Sequence, residues 1–567
     1  MPVLSVAAIA AFAIGAIAGA GGSSYTRTLA TGFVAAWTKA DYAAMYADID
    51  AASKRSTSQA AFAALYQEAA GLTTTLGATA GKPRELANGS FVVPVTVRTR
   101  MFGMLRSSYT LRFAGSESSP RIAWSASLEF PGLAAGMRLK RRTFLPPRAA
   151  LLTRTGSVLA SGEALAAGER SSPLGAAASG IVGTVGPVPA EEARQLQAEG
   201  VPADAIVGVS GLERTFDAQL RGRAGGVLMA GSRVIARASA HRGTNVRTTI
   251  SAPIQEAAVR ALGGQYGGVV AMQPLTGQIL GVAGIGLDDL QPPGSTFKMV
   301  TVTGVLQYRV ATPRTVFPYA SSATLDGVEL HNSESESCGG SLVLSFAVSC
   351  NSVFAPLGVK LGAARLVATA ERYGFNHEAG LPGVPESTVP HASEIQGELA
   401  IGSTAIGQDA VLASPLEMGV VAATIGDGGL RPTPTFSLGG PPASIRVTPA
   451  GIAREVRAMM IAVVQEGTGT SAAIPGVTVA GKTGTAELGP PAGCSSSESG
   501  AGSESSSQSS ACKPTGAAAH ADTDAWFAAF APALSPRIAV AVLMVKDGFG
   551  GETAAPVAKE VLEAGLG

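Results

Sequence analysis

The chain has 567 residues, with 42 Lys and Arg against 41 Asp and Glu and a net charge of +1. Such a length exceeds a single hydrophobic core and asks for about three or four domains, while the charge balance gives no electrostatic case for nucleic acid as a partner. Apolar residues make up 46% of the chain despite 71 glycines, so sizeable cores are available and wholesale disorder is excluded.

From Pro2 to Ala20 the chain is apolar and uncharged, and the first charged side chain is Arg27. The stretch has the length of one bilayer crossing, the small residues Ala16, Ala18 and Ala20 also fit a cleaved signal peptide, and a buried core helix is the third reading. Either membrane reading exports the chain beyond Ala20. Residues from about Thr26 to Thr73 carry Phe33, Trp37, Tyr42, Met45, Tyr46, Phe62, Leu65 and Tyr66 at helical spacing. The period then changes: Phe91–Arg100, Tyr109–Phe113 and Ile122–Phe130 alternate as three strands, which makes a small α+β domain with no catalytic cluster.

Between about Pro146 and Arg247 the chain is rich in Gly, Pro and Ala, and Gly208 to Arg214 reads as a loop leading into a short helix bearing Leu212 and Phe216. A new domain begins near Thr248. There Gly267–Met272 and Gly277–Val282 form a hairpin leading toward the turn Pro292-Pro293-Gly294 and the sequence Ser295-Thr296-Phe297-Lys298. A helix starting at Ser295 puts Ser295 and Lys298 on one face, and the apolar run Met299–Leu306 buries it. Serine needs an adjacent base, and a lysine serves only where burial keeps it neutral.

Two further motifs come later in the chain. Ser349-Cys350-Asn351 stands after the apolar segment Leu342–Val348, and Lys482-Thr483-Gly484-Thr485 continues the strand-like run Val477–Gly481. Chemically, Ser295 is the nucleophile and Lys298 its base, with Lys482 lowering the pKa of Lys298. Ser349 relays protons between the lysines and the leaving group, and Asn351 orients Lys298 and a substrate amide. Thr483, Gly484 and Thr485 are the substrate-binding residues: Gly484 admits a substrate backbone, and Thr485 with Lys482 holds a carboxylate. Lys482 and Thr483 alternate, so the strand is expected at a sheet edge whose rim lines the cleft. The oxyanion donors are the N–H groups of Ser295 and Thr485.

Cys338, Cys350, Cys494 and Cys512 fit an oxidising compartment. Cys338 with Cys350 would close a short loop, and Cys494 with Cys512 would staple the neck of a Ser-rich run; small buried thiols are the alternative. The Ser-rich run lies close enough to the K-T-G strand to restrict acceptor access. With no C-x-x-C or H-E-x-x-H spacing and five scattered histidines, no metal or other cofactor is expected.

The ordered set S-x-x-K, S-x-N and K-T-G is the pattern of penicillin-binding proteins and class A β-lactamases. At these residues the chain resembles a class B penicillin-binding protein, a peptidoglycan D,D-transpeptidase. Ser210-Gly211-Leu212-Glu213 with Leu220-Arg221-Gly222 resembles the family's pedestal motif. Pro147-Arg148 to Ala160 resembles the segment leading into it, where Ala149 and Thr153 depart from the usual residues. Ile406-Gly407-Gln408, Ser414-Pro415-Leu416 and Trp526–Pro532 resemble stretches of the catalytic fold. The order of elements before the pedestal resembles the NTF2-like (MecA-type) domain of low-affinity, resistance-type members.

The resemblance implies a multidomain α+β chain. An anchor or signal segment occupies 1–24, the NTF2-like α+β domain 25–140, and a β-rich pedestal (dimerisation-type) domain 141–247. An α/β/α transpeptidase domain, of serine β-lactamase/transpeptidase type, occupies 248–567 with an insert at 494–512. It also implies acylation of Ser295 by stem peptides of peptidoglycan and by β-lactam antibiotics at the outer face of a membrane, with a separate glycan polymerase and division or elongation proteins as partners. The competing expectations are a D,D-carboxypeptidase or β-lactamase on the same scaffold, and a non-catalytic β-lactam sensor or division scaffold.

Overall fold

The strand Phe91–Thr99 buries every second side chain, so Phe91, Val93, Val95 and Val97 form one apolar face. Gly103–Leu111 pairs with it antiparallel from Phe91 opposite Leu111 to Thr99 opposite Gly103, and Thr75–Ala80 and Arg84–Glu85 share its other edge. A helix over 25–38, Tyr42–Asp48 and Gln59–Thr73 bring Phe33, Met45, Phe62 and Tyr66 onto that face, each contributing about 1.5–3 kcal/mol by leaving water. Asp41, Asp50 and Ser58 cap the helices by accepting from their first-turn N–H groups. The computed structural model describes residues 25–116, 118–162, 166–439, 443–487 and 523–567. The expected membrane segment, Cys494, Cys512 and the Ser-rich run lie outside the described residues. Among these, no single helix is long and apolar enough to cross a membrane.

One strand expectation fails here. Of Ile122–Phe130 only Ile122 is in a strand, Ser119–Ile122, and Ala126–Leu128 forms a 3₁₀ turn. The alternation is genuine, but Asp50 captures the backbone: its carboxylate accepts from Trp124 N–H, and Ser53 Oγ donates to Trp124 O at 3.0 Å. The indole Nε1 donates to Tyr66 Oη, so the segment packs through side chains and not through a ladder. Thr75–Ala80, a strand the apolar pattern misses, is mostly Thr, Gly and Ala.

Contacts divide the chain into two compact units. The first comprises Met1–Ala150, Gly162–Arg170 and Thr184–Asn245, and the second Leu151–Ser161, Ser171–Gly183 and Val246–Gly567. Within the first, Gly225–Ala230 lies between Arg233–Ala238 and Leu139–Phe144 in an antiparallel sheet. Beside it, the short helix Gly211–Thr215 carries Glu213, which is fully buried and accepts from Arg148 Nε and Arg170 Nη1, both at 2.7 Å. Asp217 joins Arg148 to Arg221, and Arg221 reaches Glu199 at 2.6 Å. The Ser210–Glu213 motif and the helix after it therefore knot four separate stretches of this unit, at Arg148, Arg170, Glu199 and Glu213–Arg221, through charge-assisted bonds.

The second unit is built on a five-stranded antiparallel sheet in the order Ile279–Gly284, Gly267–Met272, Ile538–Met544, Thr523–Ala531, Ala480–Glu487. The first two strands are the expected hairpin, and the Lys-Thr-Gly strand is an edge strand. Helices Ala252–Leu262 and Ala554–Leu566 pack Ile254, Ala258, Val561 and Leu562 against Val269, Phe527, Val540 and Val542 on one face. On the other lies Pro415–Gly426, buried along its whole length, whose Gly419 faces Ala541 and Met272. Cys338 and Cys350 are joined by a disulfide across a separation of 12 residues.

Glu213→Ala leaves the buried Arg170 guanidinium without its ion-pair partner and Arg148 with Asp217 alone, so it is expected to cost about 3–5 kcal/mol of stability, read as a lowered denaturation midpoint. A Cys338→Ser, Cys350→Ser double variant frees the loop in the unfolded chain and is expected to lose about 2–4 kcal/mol in the same measurement.

Candidate active site

The turn Pro292-Pro293-Gly294 is set by close packing. Gly294 has φ +50°, and a Cβ there would lie 2.6 Å from Thr485 O; Gly294 N–H donates to Gly407 O at 2.9 Å. Gly407, at φ +76°, would drive a Cβ into Gly294 O, so each glycine permits the other's approach. The α-helix then begins at Lys298, not at Ser295, because Gly294–Phe297 is a 3₁₀ turn. Residues three apart eclipse in a 3₁₀ turn, but the hydrogen bonds of Lys298 go to Ser349 and Asn351, and none joins it to Ser295 among the described residues. Ser295 is half-buried, whereas Lys298 is fully buried, with Met299–Leu306 buried behind it.

Lys298 Nζ donates to Ser349 O at 2.7 Å and Asn351 Oδ1 at 2.6 Å, and lies 3.3 Å from Ser349 Oγ. Lys482 Nζ donates to that same Oγ at 2.8 Å and to Thr483 O at 3.1 Å. One hydroxyl therefore stands between two lysines 184 residues apart in sequence. Burial, then the nearby Lys482 charge, hold Lys298 well below an ordinary lysine pKa. Burial brings Lys482 down to about 7. Three acceptors around Lys298 Nζ favour its ammonium form, but desolvation and a second cation oppose it and win. The remaining proton of the pair rests on Lys482. In neutral Lys298 two N–H groups serve Ser349 O and Asn351 Oδ1, and the lone pair is left for the longer contact with Ser349 Oγ–H.

Two aromatic rings form the floor, and the motif pattern did not find them. Phe354 lies 5.6 Å from Lys298 Nζ, Phe346 lies 5.5 Å from Lys482 Nζ, and the rings are 5.8 Å apart. Their faces attract cations while their bulk excludes water. A helical signal was present, because Phe346 precedes Ser349 by three residues and Phe354 comes three after Asn351. Ser349 itself is held at φ +60°, a left-handed conformation unusual for a side chain with a Cβ. The disulfide at Cys350, the bond from Cys350 N–H to Ser345 O and the bond from Asn351 Nδ2 to His331 O surround it.

On the edge strand, Thr485 is half-buried at the rim and its carbonyl faces Gly294 and Gln408 Nε2. In an antiparallel ladder a residue turns its N–H and C=O to the same side, so Thr485 N–H also points off the free edge. Ser295 N–H, in the first turn of a helix, has no intrahelical acceptor. The two expected oxyanion donors thus stand on backbone segments that touch where Gly294 meets Thr485. Gly484 is tight against Pro293 O and Trp526, and a Cβ would meet both. The Thr483 hydroxyl hydrogen-bonds Thr468 Oγ1, and Thr468 N–H donates to Ala347 O. It ties the strand to the helix ahead of Ser349. Among the described residues no group of three or more His, Cys, Asp or Glu could hold a metal.

Three family models match the chain: the penicillin binding protein transpeptidase domain over 267–563, the penicillin-binding protein dimerisation domain over 161–245 and the NTF2-like N-terminal transpeptidase domain over 26–137. A peptidoglycan D,D-transpeptidase PbpA of Mycolicibacterium smegmatis is 31% identical over 63% of this chain and 79% of its own length. The PbpA of Mycobacterium tuberculosis is 32% identical over 57% and 73%. Among solved structures, the D,D-transpeptidase domain of a peptidoglycan glycosyltransferase from Eggerthella lenta is 29% identical, covers 74% of this chain and 98% of its own, and gives a TM-score of 0.58. A ceftriaxone acyl-enzyme complex of penicillin-binding protein A from M. tuberculosis is 25% identical over the same shares, with a TM-score of 0.57. With buried lysines on either side of Ser349, the edge strand and all three domain matches in their order, the chain belongs to the class B penicillin-binding proteins.

Proposed function

We propose that this chain is a serine D,D-transpeptidase that cross-links peptidoglycan stem peptides through an acyl-enzyme at Ser295 and is acylated there by β-lactams. The observation that carries it is the placement of Ser349 Oγ between Lys298 and Lys482. Relatives named peptidoglycan D,D-transpeptidases and a related acyl-enzyme structure support it.

Ser295 Oγ attacks the carbonyl carbon of the penultimate D-alanine and its proton passes to neutral Lys298. The oxyanion is held by the N–H groups of Ser295 and Thr485, which strengthen their bonds as charge develops. The C–N bond then breaks, and the departing D-alanine amine takes a proton relayed from Lys298 through Ser349. An amine of a neighbouring strand attacks the ester, gives up its proton along the same path in reverse, and frees Ser295. Asn351 fixes Lys298, while Lys482 and Thr485 hold the substrate carboxylate. A β-lactam takes the same first step, but its leaving nitrogen stays tethered.

The wider assignment rests on the sequence. Pro2–Ala20 anchors the chain in the membrane with its bulk outside the cytoplasm. The working boundaries are 25–140, 141–247 and 248–567, and a separate glycan polymerase with division or elongation proteins completes wall synthesis.

Labelling by a fluorescent penicillin tests the proposal. A label that persists for hours and disappears in Ser295→Ala is the expected result. Rapid loss of the label would mean a hydrolase, and no Ser295-dependent label would overturn the assignment. The protonation scheme gives a second outcome: acylation needs Lys298 neutral and Lys482 charged, so its rate falls as pH rises through about 7. In Lys482→Arg the cation cannot be lost, so the alkaline limb moves above pH 9 (about two units or more) even if the maximal rate drops. An unchanged limb would assign it to another group.

A further inference from the structure

The outer face of the first domain's sheet is strongly basic. Thr75–Leu111 holds Lys82, Arg84, Arg98, Arg100 and Arg106 against the single acid Glu85, in a chain whose net charge is only +1. Register gathers these cations: Arg84 pairs opposite Val92, Arg106 opposite Thr96 and Arg98 opposite Met104, all on the side away from buried Phe91, Val93, Val95 and Val97. Lys82, Arg84 and Arg106 line an open groove with Val92, Pro94 and Ser108. Among the described residues none of Lys82, Arg84, Arg98 and Arg106 is in an ion pair.

The position of this groove along the chain selects its partner. The helix over 25–38 begins five residues after the apolar stretch ends at Ala20, and its Arg27 donates to Pro83 O at 3.2 Å, inside the Lys82–Arg84 loop. Arg27 also lies over the Phe91 ring at 5.4 Å. Arg27, seven residues beyond Ala20 in sequence, is thus fastened to the basic loop. Lys39, at the other end of that helix, lies about 20 Å away at 1.5 Å per residue.

We propose that this basic face docks on the anionic phospholipid surface of the membrane, holding the first domain against the bilayer. The proposal rests on the reading of Pro2–Ala20 as a membrane anchor. Clustered cations beside a membrane segment are attracted to anionic headgroups, and the attraction is screened by salt.

The test uses the full chain in vesicles of phosphatidylcholine, with or without phosphatidylglycerol, and monitors acylation of Lys82 and Lys39 by a water-soluble amine reagent, read by peptide mass. Lys82 is expected to be protected several-fold when phosphatidylglycerol is present, with Lys39 unchanged and the protection lost in high salt. An Arg84→Glu, Arg98→Glu, Arg106→Glu variant is expected to weaken docking by about fivefold or more per residue. A Lys82 rate indifferent to phosphatidylglycerol overturns the proposal. So does protection by soluble polyphosphate but not by vesicles, which would point to an anionic wall polymer. Alkaline extraction is scored separately: a chain stripped from both kinds of vesicle overturns the anchor, whereas a retained chain with an unprotected Lys82 overturns only the docking.

Discussion

Two lysines buried together cannot both be charged, and the catalytic unit is arranged around that constraint. Moving an amine from its ordinary pKa to about 7 costs on the order of several kcal/mol in the charged state, and the fold must supply it from packing elsewhere. The helix behind Lys298 is buried throughout, Phe346 and Phe354 close the floor, and Lys482 projects from a sheet whose two adjoining strands are buried along their whole length. Water is thereby excluded from both amines. What remains is one mobile proton and one serine hydroxyl to carry it.

A relay of this kind works only if its atoms stay within tenths of an ångström, and the surrounding backbone is unusually constrained. Gly294 and Gly407 press against each other at left-handed φ, Gly294 presses against Thr485, and Ser349 holds a conformation that a β-carbon resists. The disulfide at Cys350, the bonds of Asn351 and the Thr483–Thr468–Ala347 chain fix the remaining freedom. Backbone strain at a site persists when neighbouring structure over-determines it. Here the large antiparallel sheet is the element that does so.

The first unit solves a different problem. Beside its apolar clusters it buries the Glu213 carboxylate and neutralises it with Arg148 and Arg170. Such a knot adds little net stability compared with apolar packing, but it joins segments distant in sequence in one defined register. The basic sheet face shows the opposite treatment of charge, with cations left facing solvent. Burial with partners fixes structure, whereas exposure without partners leaves charge available.

Much of this was legible in the chain. Alternation predicted the strand over Phe91–Arg100, observed as Phe91–Thr99, because a two-residue period is a direct imprint of a half-buried ladder; the Gly267 hairpin was legible instead as two apolar runs joined by a turn, and the edge strand from the opposed faces of Lys482 and Thr483. Alternation misled at Ile122–Phe130, where Asp50 and Tyr66, 74 and 58 residues from Trp124, redirect the segment. The three motifs fixed the residue types of the site and their order, since spacings of two and three residues are local geometry. The meeting of Lys298, Ser349 and Lys482 was decided by the tertiary structure, as were the aromatic floor, the mutual dependence of Gly294 and Gly407, the bond between Thr483 and Thr468 and the lowered pKa values of the lysines. The physical reason is that a pKa and a contact across the fold depend on which atoms exclude water and which backbones touch, and no short stretch of sequence contains both partners.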